Sequence, residues 1–257
     1  MRIEPRVPRS TADVSRGSSS FRRFWVNTIL VIAFFGALYL ALGWAAEGIV
    51  HFMPLSWEQR LEFTVPDSWD REFPVPDHVD KVFRQVTEAS GSRRTFHLHM
   101  VPDRELNAWA FPGGNIGITT GLADAVHSEE ALAFVIAHEI GHFEHRHTLK
   151  RLSRAVVFGL ARSILFGGEP GAAPVRRLDS LGDLNYSRRQ ERQADQFALD
   201  CLNRTYGHVG GATDFFRMIE YRGFHVQILD THPLPKSRID RIEALIRDRD
   251  LPVEPVT

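Results

Sequence analysis

Cysteine is almost absent from this chain: Cys201 is the only one among 257 residues. A single cysteine excludes any disulfide within the chain, so the fold must be held together by its core and by any metal it binds. Cys201 lies in the apolar run 197–202, which indicates a buried, small hydrophobic residue.

The sequence also lacks a large net charge of either sign. Its formal net charge is -1, which argues against a nucleic-acid partner. The charge is unevenly distributed, because residues 1–23 contain six arginines and two acidic residues, a net charge of +4. No internal repeat is visible, and the length suits one sizeable domain.

One long apolar segment is present, with no charged residue over positions 24–46. A helix of that length would measure about 34 Å, enough to span a bilayer. The two arginines before it favour a cytoplasmic N-terminus. We expect an uncleaved signal anchor, since the run exceeds the usual apolar core of a cleaved signal peptide, and no convincing cleavage site follows. An Arg- and Ser-rich mitochondrial presequence is a third interpretation, which two acidic residues weaken.

His138, Glu139 and His142 spell H-E-x-x-H inside a helical pattern. Positions i and i+4 share one face of a helix, so both imidazoles can reach one tetrahedral zinc. Glu139 lies beside them, where it can act as a catalytic base. We predict one helix from Ser128, a plausible N-cap, to His147. At five positions after His142, His147 is not expected to be a ligand. A solvated, His-rich helix end is the competing interpretation.

A catalytic zinc needs a third protein ligand, which a second predicted helix can supply. Glu191 and Asp195 lie four residues apart on one face of that helix. Glu191 can bind the metal, and Asp195 can accept a hydrogen bond from the free ring nitrogen of a ligand histidine. A surface helix with alternating charges is the alternative.

Four stretches together resemble the M48 family of zinc metallopeptidases, the gluzincins that include the CAAX prenyl protease, HtpX and Oma1 types. In chain order they are NAWAFPGGNIGITTGL at 107–122, HEIGH followed by further histidines at 138–147, ERQAD at 191–195, and THPLP at 231–235 with Arg238. The set spans about residues 107–240 and is highly specific in this order. With only one clear span, the chain resembles the single-anchor or soluble branch of the family.

The resemblance implies one Zn²⁺ per chain, bound by His138, His142 and Glu191, with Glu139 as the catalytic base. It also implies hydrolysis of peptide bonds in misfolded or membrane-associated polypeptides, without fixing a substrate, an adaptor or an oligomeric partner. His232 is our candidate catalytic donor to the oxyanion. The alternatives are that His232 is a fourth zinc ligand that blocks the open position, or that it is an ordinary loop histidine.

A hairpin is predicted from two short strands, 108–111 and 116–119, joined by Pro-Gly-Gly-Asn. We expect it to offer an edge to which an extended substrate adds as another strand. An ordinary sheet hairpin is the alternative. The candidate substrate-binding residues are Asn107, Gly114, Ile116 and Arg238.

Periodicity predicts the remaining elements. We expect helices over 77–90, 155–166, 212–223 and 235–249, and a strand over 95–101. The predicted fold class is α+β, a mostly helical zincin-like (gluzincin) domain with a small antiparallel sheet, preceded by one transmembrane helix. The predicted organisation is a disordered basic tail (1–23), a signal anchor (24–46), a connector (47–76) and a metallopeptidase domain (77–250).

These features predict a membrane-anchored zinc endopeptidase for protein quality control. A zinc-containing chaperone or binding protein, with low or self-blocked turnover, is the alternative. The expected location is the bacterial inner membrane, crossed once, with a cytoplasmic N-terminus and a periplasmic catalytic domain. The mitochondrial inner membrane is the alternative location.

Overall fold

The computed structural model describes residues 17–59, 72–167, 186–222, 232 and 237–256. The chain forms two compact units, one ending at Ala45 and the other beginning at Ala46. Most of the predicted basic tail, part of the predicted connector, and all of the THPLP stretch except His232 lie outside the described residues.

The described part of the first unit is one long helix, and the last residues of that helix, from Ala46 onward, belong to the second unit. Helix α1 spans Gly17–Phe52. An 18-residue stretch within its Phe21–Phe52 portion has a mean hydropathy of 2.2, and α1 is the one helix among the described residues that is long and apolar enough to cross a membrane. The predicted anchor lies within it, but the helix begins inside the tail that we expected to be disordered. No proline separates Gly17 from the apolar run, so nothing there prevents the helix from extending.

The second unit contains eight further helices and three strands among the described residues. The helices are α2 (Leu55–Gln59), α3 (Asp77–Ser90), α4 (Thr120–Ala125), α5 (Glu129–Glu144), α6 (His147–Phe166), α7 (Arg188–Tyr206), α8 (Asp214–Arg222) and α9 (Ser237–Asp248). The strands are β1 (His97–Val101), β2 (Ala108–Phe111) and β3 (Asn115–Thr119). The prediction of a mostly helical fold with a small sheet is confirmed.

The sheet is mixed rather than purely antiparallel. Its strand order is β1-β3-β2, with β3 antiparallel to β2 and parallel to β1. The hairpin reverses the chain after β2, so β3 runs antiparallel to β2, and β3 lies between β2 and β1. The hairpin turn needs glycine, because Gly114 has φ +87° and an added Cβ would lie 2.2 Å from the Thr95 carbonyl oxygen.

Helix α5 is the centre of the second unit, and almost every residue in it is buried. Ser128 caps its N-terminus by accepting a hydrogen bond from the Ala131 amide, as its sequence position predicts. Helices α3 and α7 and strand β2 pack around it. Gly141 lets α7 approach closely, since a Cβ there would lie 3.1 Å from the Ala194 Cα. The core therefore holds the H-E-x-x-H helix on several sides.

The predicted single helix over 128–147 is wrong at its C-terminal end, because α5 ends at Glu144 and a new helix, α6, begins at His147. Between them, Arg146 adopts a left-handed conformation with φ 55°. Its Nη1 donates hydrogen bonds to the carbonyl oxygens of Val50 (2.7 Å) and Met53 (2.8 Å). These contacts with distant backbone stabilise a break that local helix propensity does not predict. Consequently α6 begins eight residues before the helix predicted at 155–166.

Candidate metal centre

Helix α5 places His138 and His142 one turn apart with their rings converging. Their Nε2 atoms are 3.0 Å apart, and both side chains are buried. Their i,i+4 spacing puts them on one face of the helix, as the sequence predicts. Because α5 is packed on several sides, the direction in which both rings point is fixed.

Helix α7 brings a carboxylate to the same point. Ser187 and Gln190 form a capping box that fixes the start of this helix at Arg188, three residues before Glu191. The carboxylate oxygens of Glu191 lie 3.5 Å from the Nε2 atoms of both His138 and His142. The two helices therefore contribute three converging ligand atoms.

His232 completes the group. Its Nδ1 lies 3.2 Å from the Nε2 of His138 and 3.1 Å from a carboxylate oxygen of Glu191. One ligand atom from each of His138, His142, Glu191 and His232 lies within 4.8 Å of the other three, and all four side chains are buried.

These residues fit a metal ion of the zinc type. Tetrahedral ligands at about 2.1 Å from zinc are about 3.4 Å apart, and the observed separations of 3.0 to 3.5 Å agree with that spacing. Imidazole nitrogens and a carboxylate are also ligands that zinc accepts. A buried cluster of facing nitrogen acceptors would be unfavourable without a cation or proton between them.

Asp195 lies where it can orient His138. Its Oδ1 is 3.1 Å from the Nδ1 of His138, the nitrogen that faces away from the other ligands. Burial raises the pKa of Asp195, but the Arg238 charge and the hydrogen bond to His138 outweigh it and bring the pKa to about 2. For His138, burial and Arg238 lower the pKa, whereas the bonds to Asp195 and Glu191 raise it, and the net pKa is about 9.

Arg238 is bonded to protein carboxylates and buried. Its guanidinium contacts Asp195 at 2.6 Å and Glu191 at 2.8 Å, and it lies over the ring of Phe216. The other predicted substrate-binding residues lie in or beside the sheet. Ile116 is fully buried in β3, Gly114 forms the turn, and the Asn107 side chain accepts a hydrogen bond from a backbone amide. Their roles in substrate binding stay predictions.

Glu139 is a buried carboxylate with no hydrogen-bond partner among the described residues at either oxygen. Burial raises its pKa, while the neighbouring His232 and His138 partly oppose that rise. An Oε1–Nε2 distance of 3.5 Å separates Glu139 from His232. The carboxylate is thus available to exchange a proton with a molecule in the adjoining cleft.

Two clefts meet at His232. The first is lined by Phe134, Val135, His138, Glu139, Phe215, Phe216, His232 and Arg238. The second is lined by Trp109, Ala110, Phe111, Thr148, Arg151, Tyr186 and His232. The second cleft runs along β2, an edge strand of the sheet.

Two of the contacts that His142 makes could not be predicted from the sequence. The ring of Tyr186 stacks on His142 with a centroid separation of 3.7 Å, and its hydroxyl lies 3.1 Å from the Thr148 hydroxyl. The Nδ1 of His147 lies 3.0 Å from the Nδ1 of His142. Position i+5 of a continuous helix would point away from His142, and only the break at Arg146 brings His147 back to it.

Comparison with known families decides the classification. Residues 76–246 match the model of peptidase family M48. The chain belongs to peptidase family M48. The resemblance predicted from the four motifs is thereby confirmed, and the metal-ligand candidates all lie within the matched region.

Several family M48 relatives carry functional names. The chain is 32% identical to a putative beta-barrel assembly-enhancing protease of Vibrio cholerae over 180 residues, 63% of this chain and 37% of that protein. It is 29% identical to the beta-barrel assembly-enhancing protease of Escherichia coli K12 over 172 residues, 61% of this chain and 35% of the relative.

A mitochondrial relative is matched as well. The chain is 29% identical to mitochondrial metalloendopeptidase OMA1 of Schizosaccharomyces pombe over 181 residues, 66% of this chain and 52% of the relative. The chain thus spans only a third to a half of the length of these three relatives.

Proposed function

We propose that this family M48 member is a membrane-anchored zinc endopeptidase. His138, His142 and Glu191 would hold the zinc, one ion per chain. The observation that carries the proposal is Glu139, a buried carboxylate without a hydrogen-bond partner among the described residues, beside four converging ligand atoms. A purely structural metal site has no use for such a carboxylate, which argues against the chaperone or binding-protein alternative.

The chemistry is divided between the metal and the side chains. When bound, zinc supplies a Lewis acid that polarises a carbonyl oxygen and makes water more acidic. Glu139 accepts a proton from the attacking water and later donates it to the leaving amine. Its raised pKa, caused first by burial, brings it closer to the working pH and favours both transfers. Asp195 keeps His138 in the orientation and tautomer needed for binding.

His232 has two candidate roles, a fourth zinc ligand and a donor to the oxyanion. Its Nδ1 faces the ligand atoms of His138 and Glu191 rather than the open cleft, which supports a fourth ligand in a resting, self-blocked state. Its Nε2 lies nearer to Glu139, on the side where an oxyanion donor would act once the ring has moved. We propose the first arrangement for the resting protein, with release of His232 needed for turnover.

Strand β2 is the proposed docking edge for the polypeptide. It lies at the edge of the sheet and lines the cleft that ends at His232. An extended peptide that pairs with β2 would be held by its backbone, so many sequences could bind. This mode suits a broad substrate range, such as misfolded or membrane-associated proteins.

The chain has a single candidate membrane span among its described residues, and its relatives include bacterial proteases and a mitochondrial endopeptidase. We propose a bacterial inner-membrane location, with the N-terminus in the cytoplasm and the catalytic unit outside it. The mitochondrial inner membrane is the alternative.

The test compares the full chain with Glu139→Gln, both purified in detergent and loaded with zinc, on an unfolded protein such as casein. We expect both to hold one zinc per chain, and the variant to lose about 10²- to 10⁴-fold in cleavage rate. Equal cleavage by both would overturn the role of Glu139. If both hold zinc and neither cuts, His232→Ala should restore cleavage to the Glu139-containing chain; continued inactivity would favour the binding-protein alternative.

A further inference from the structure

Among the described residues, no carboxylate contacts the Nδ1 of His142 in the way that Asp195 contacts the Nδ1 of His138. The Nδ1 of His142 instead lies 3.0 Å from the Nδ1 of His147. The other nitrogen of His147, Nε2, lies 3.2 Å from the side-chain oxygen of Gln193. His147 is almost fully buried, with 1% of its surface exposed, so both of its nitrogens need partners within the protein.

One arrangement of the hydrogens along these contacts leaves His142 able to bind a metal. The oxygen of Gln193 can only accept, so the Nε2 of His147 carries the hydrogen. A neutral His147 then has a lone pair at Nδ1, which accepts the N–H of His142. His142 is left with its lone pair on Nε2, the atom that faces His138 and Glu191.

We propose that Gln193 and His147 form a hydrogen-bond relay that positions His142 as a metal ligand and selects its tautomer. The relay deepens the proposed function and rests on the metal site described there. His147 and Gln193 are positioning residues, because His147 is not a member of the ligand cluster and Gln193 acts through its contact with His147. Replacing a partner of this kind typically weakens metal binding by about 10- to 100-fold.

The fold explains how a residue five positions after His142 reaches its ring. The left-handed Arg146 ends α5 and redirects the chain, so that His147 begins α6 beside the ring of His142. Helix α7 supplies Gln193 two residues after Glu191 and two before Asp195. One helix therefore provides a ligand, the direct partner of His138 and the remote partner of His142.

Other neighbours of His142 do not compete for its Nδ1. The ring of Tyr186 stacks on the imidazole face, and its hydroxyl is directed to Thr148. The ring of His145 stacks on His147, face to face, at a centroid separation of 5.4 Å. If the Gln193 amide were turned so that its NH₂ faced His147, the hydrogens would reverse, and His142 would carry its hydrogen on Nε2, where it could not bind a metal.

The test replaces His147 by two residues of similar shape in the full chain, purified in detergent and stripped of zinc. His147→Asn keeps an acceptor near the Nδ1 position, and His147→Leu has none. Zinc dissociation constants are measured by competition with a chelating dye. We expect His147→Leu to weaken binding by about 10- to 100-fold and His147→Asn to stay within about threefold of wild type.

A spectroscopic readout accompanies the affinities. The visible absorption of the Co²⁺-substituted protein reports the geometry of its ligands, so His147→Asn should resemble wild type and His147→Leu should not. Thermal unfolding of the metal-free proteins serves as the control for folding. Equal loss in both variants would assign His147 a packing role only and overturn the relay, as would unchanged zinc binding by His147→Leu.

A second pair of variants keeps the relay testable if His147→Leu fails to fold. Gln193→Glu can only accept a hydrogen bond, whereas Gln193→Met has nearly the same length and no comparable acceptor. We expect weaker zinc binding for Gln193→Met alone. Wild-type protein that binds no zinc would overturn the proposed function and the relay together. Wild-type binding with no difference within either pair would overturn the relay alone.

Discussion

Two buried carboxylates at the site differ in what surrounds them, and the difference separates their roles. Asp195 is bonded to Arg238, Arg241 and His138, and of these Arg238 and His138 hold its pKa at about 2 despite burial. Glu139 has no hydrogen-bond partner among the described residues, and burial raises its pKa. A carboxylate that stays ionised can orient a ligand, whereas one with a raised pKa can exchange protons.

Arg238 is the cation that allows the carboxylates to stay buried when no metal is bound. It contacts both Asp195 and Glu191, and only 2% of its own side chain is exposed. We expect Arg238→Met to destabilise the metal-free protein by about 3–5 kcal/mol, because buried negative charges lose their partner. Saturating zinc should restore part of that loss. Urea unfolding of both proteins, with a chelator or with excess zinc, measures both effects.

Arg241→Met is the matched control. Asp195 is the one carboxylate that Arg241 contacts among the described residues, and 32% of the Arg241 side chain is exposed, so we expect a loss of about 1 kcal/mol or less. Equal losses for the two variants would contradict the assignment of Arg238 as the main counter-charge. A loss at Arg238 that zinc does not reduce would show that the arginine acts by packing on Phe216 instead.

At the scale of elements, the sequence could predict whatever depends on local periodicity. The i,i+4 spacing of His138 and His142, and of Glu191 and Asp195, places each pair on one helical face wherever the helix lies. The N-cap at Ser128 likewise depends only on its neighbours. For these reasons the H-E-x-x-H helix and its partner helix could be predicted without knowledge of the tertiary fold.

The elements that could not be predicted depend on distant contacts. The break after α5 is stabilised by hydrogen bonds from Arg146 to backbone more than ninety positions earlier. The position of His147 beside His142 follows from that break, so helical periodicity alone argues against it. The parallel pairing of β1 with β3 depends on insertion of the hairpin beside β1, which strand periodicity does not encode.

The approach of α7 to α5 depends on Gly141. A Cβ at this position would lie 3.1 to 3.2 Å from two Ala194 backbone atoms and the Phe197 Cβ, atoms that cannot rotate away. We expect Gly141→Ala to push α7 outward and to weaken zinc binding by at least about tenfold, equivalent to about 1.4 kcal/mol. The better helix propensity of alanine, about 1 kcal/mol, should offset much of the strain in the metal-free protein.

Zinc titration and urea unfolding of the metal-free variant separate these two effects. Gly48→Ala is the control, because Gly48 also lies in a helix but has no neighbouring atom within 4 Å of the place that a Cβ would take. Its zinc affinity should equal that of wild type. Unchanged zinc binding by Gly141→Ala would mean that α7 can shift without moving Glu191.

At the scale of the whole molecule, the boundary between the two units does not coincide with the end of the apolar helix. Residues after Ala45 belong to the second unit. Arg146 donates hydrogen bonds to the carbonyl groups of Val50 and Met53. The buried Glu58 lies 3.2 Å from Arg94 and 3.3 Å from Arg146. The last turns of α1 and the short helix α2 are therefore structural parts of the unit that contains the metal-ligand candidates.

Truncated chains can test at which residue the independently stable unit begins. A chain that begins at residue 46 keeps Glu58 and both carbonyl groups, so its urea unfolding should match that of the second unit in the intact protein. A chain that begins at residue 60 leaves Arg94 and Arg146 without Glu58, and we expect it to lose about 2–3 kcal/mol.

The full-length variant Glu58→Gln, which retains shape but not charge, isolates the ionic part of this loss. If the ion pairs hold the junction, it should reproduce at least half of the destabilisation. Equal stability of the chains that begin at 46 and at 60 would instead mean that the break at Arg146 persists without its partners. In that case the position of His147 beside His142 would have to be fixed by Gln193 and the surrounding core.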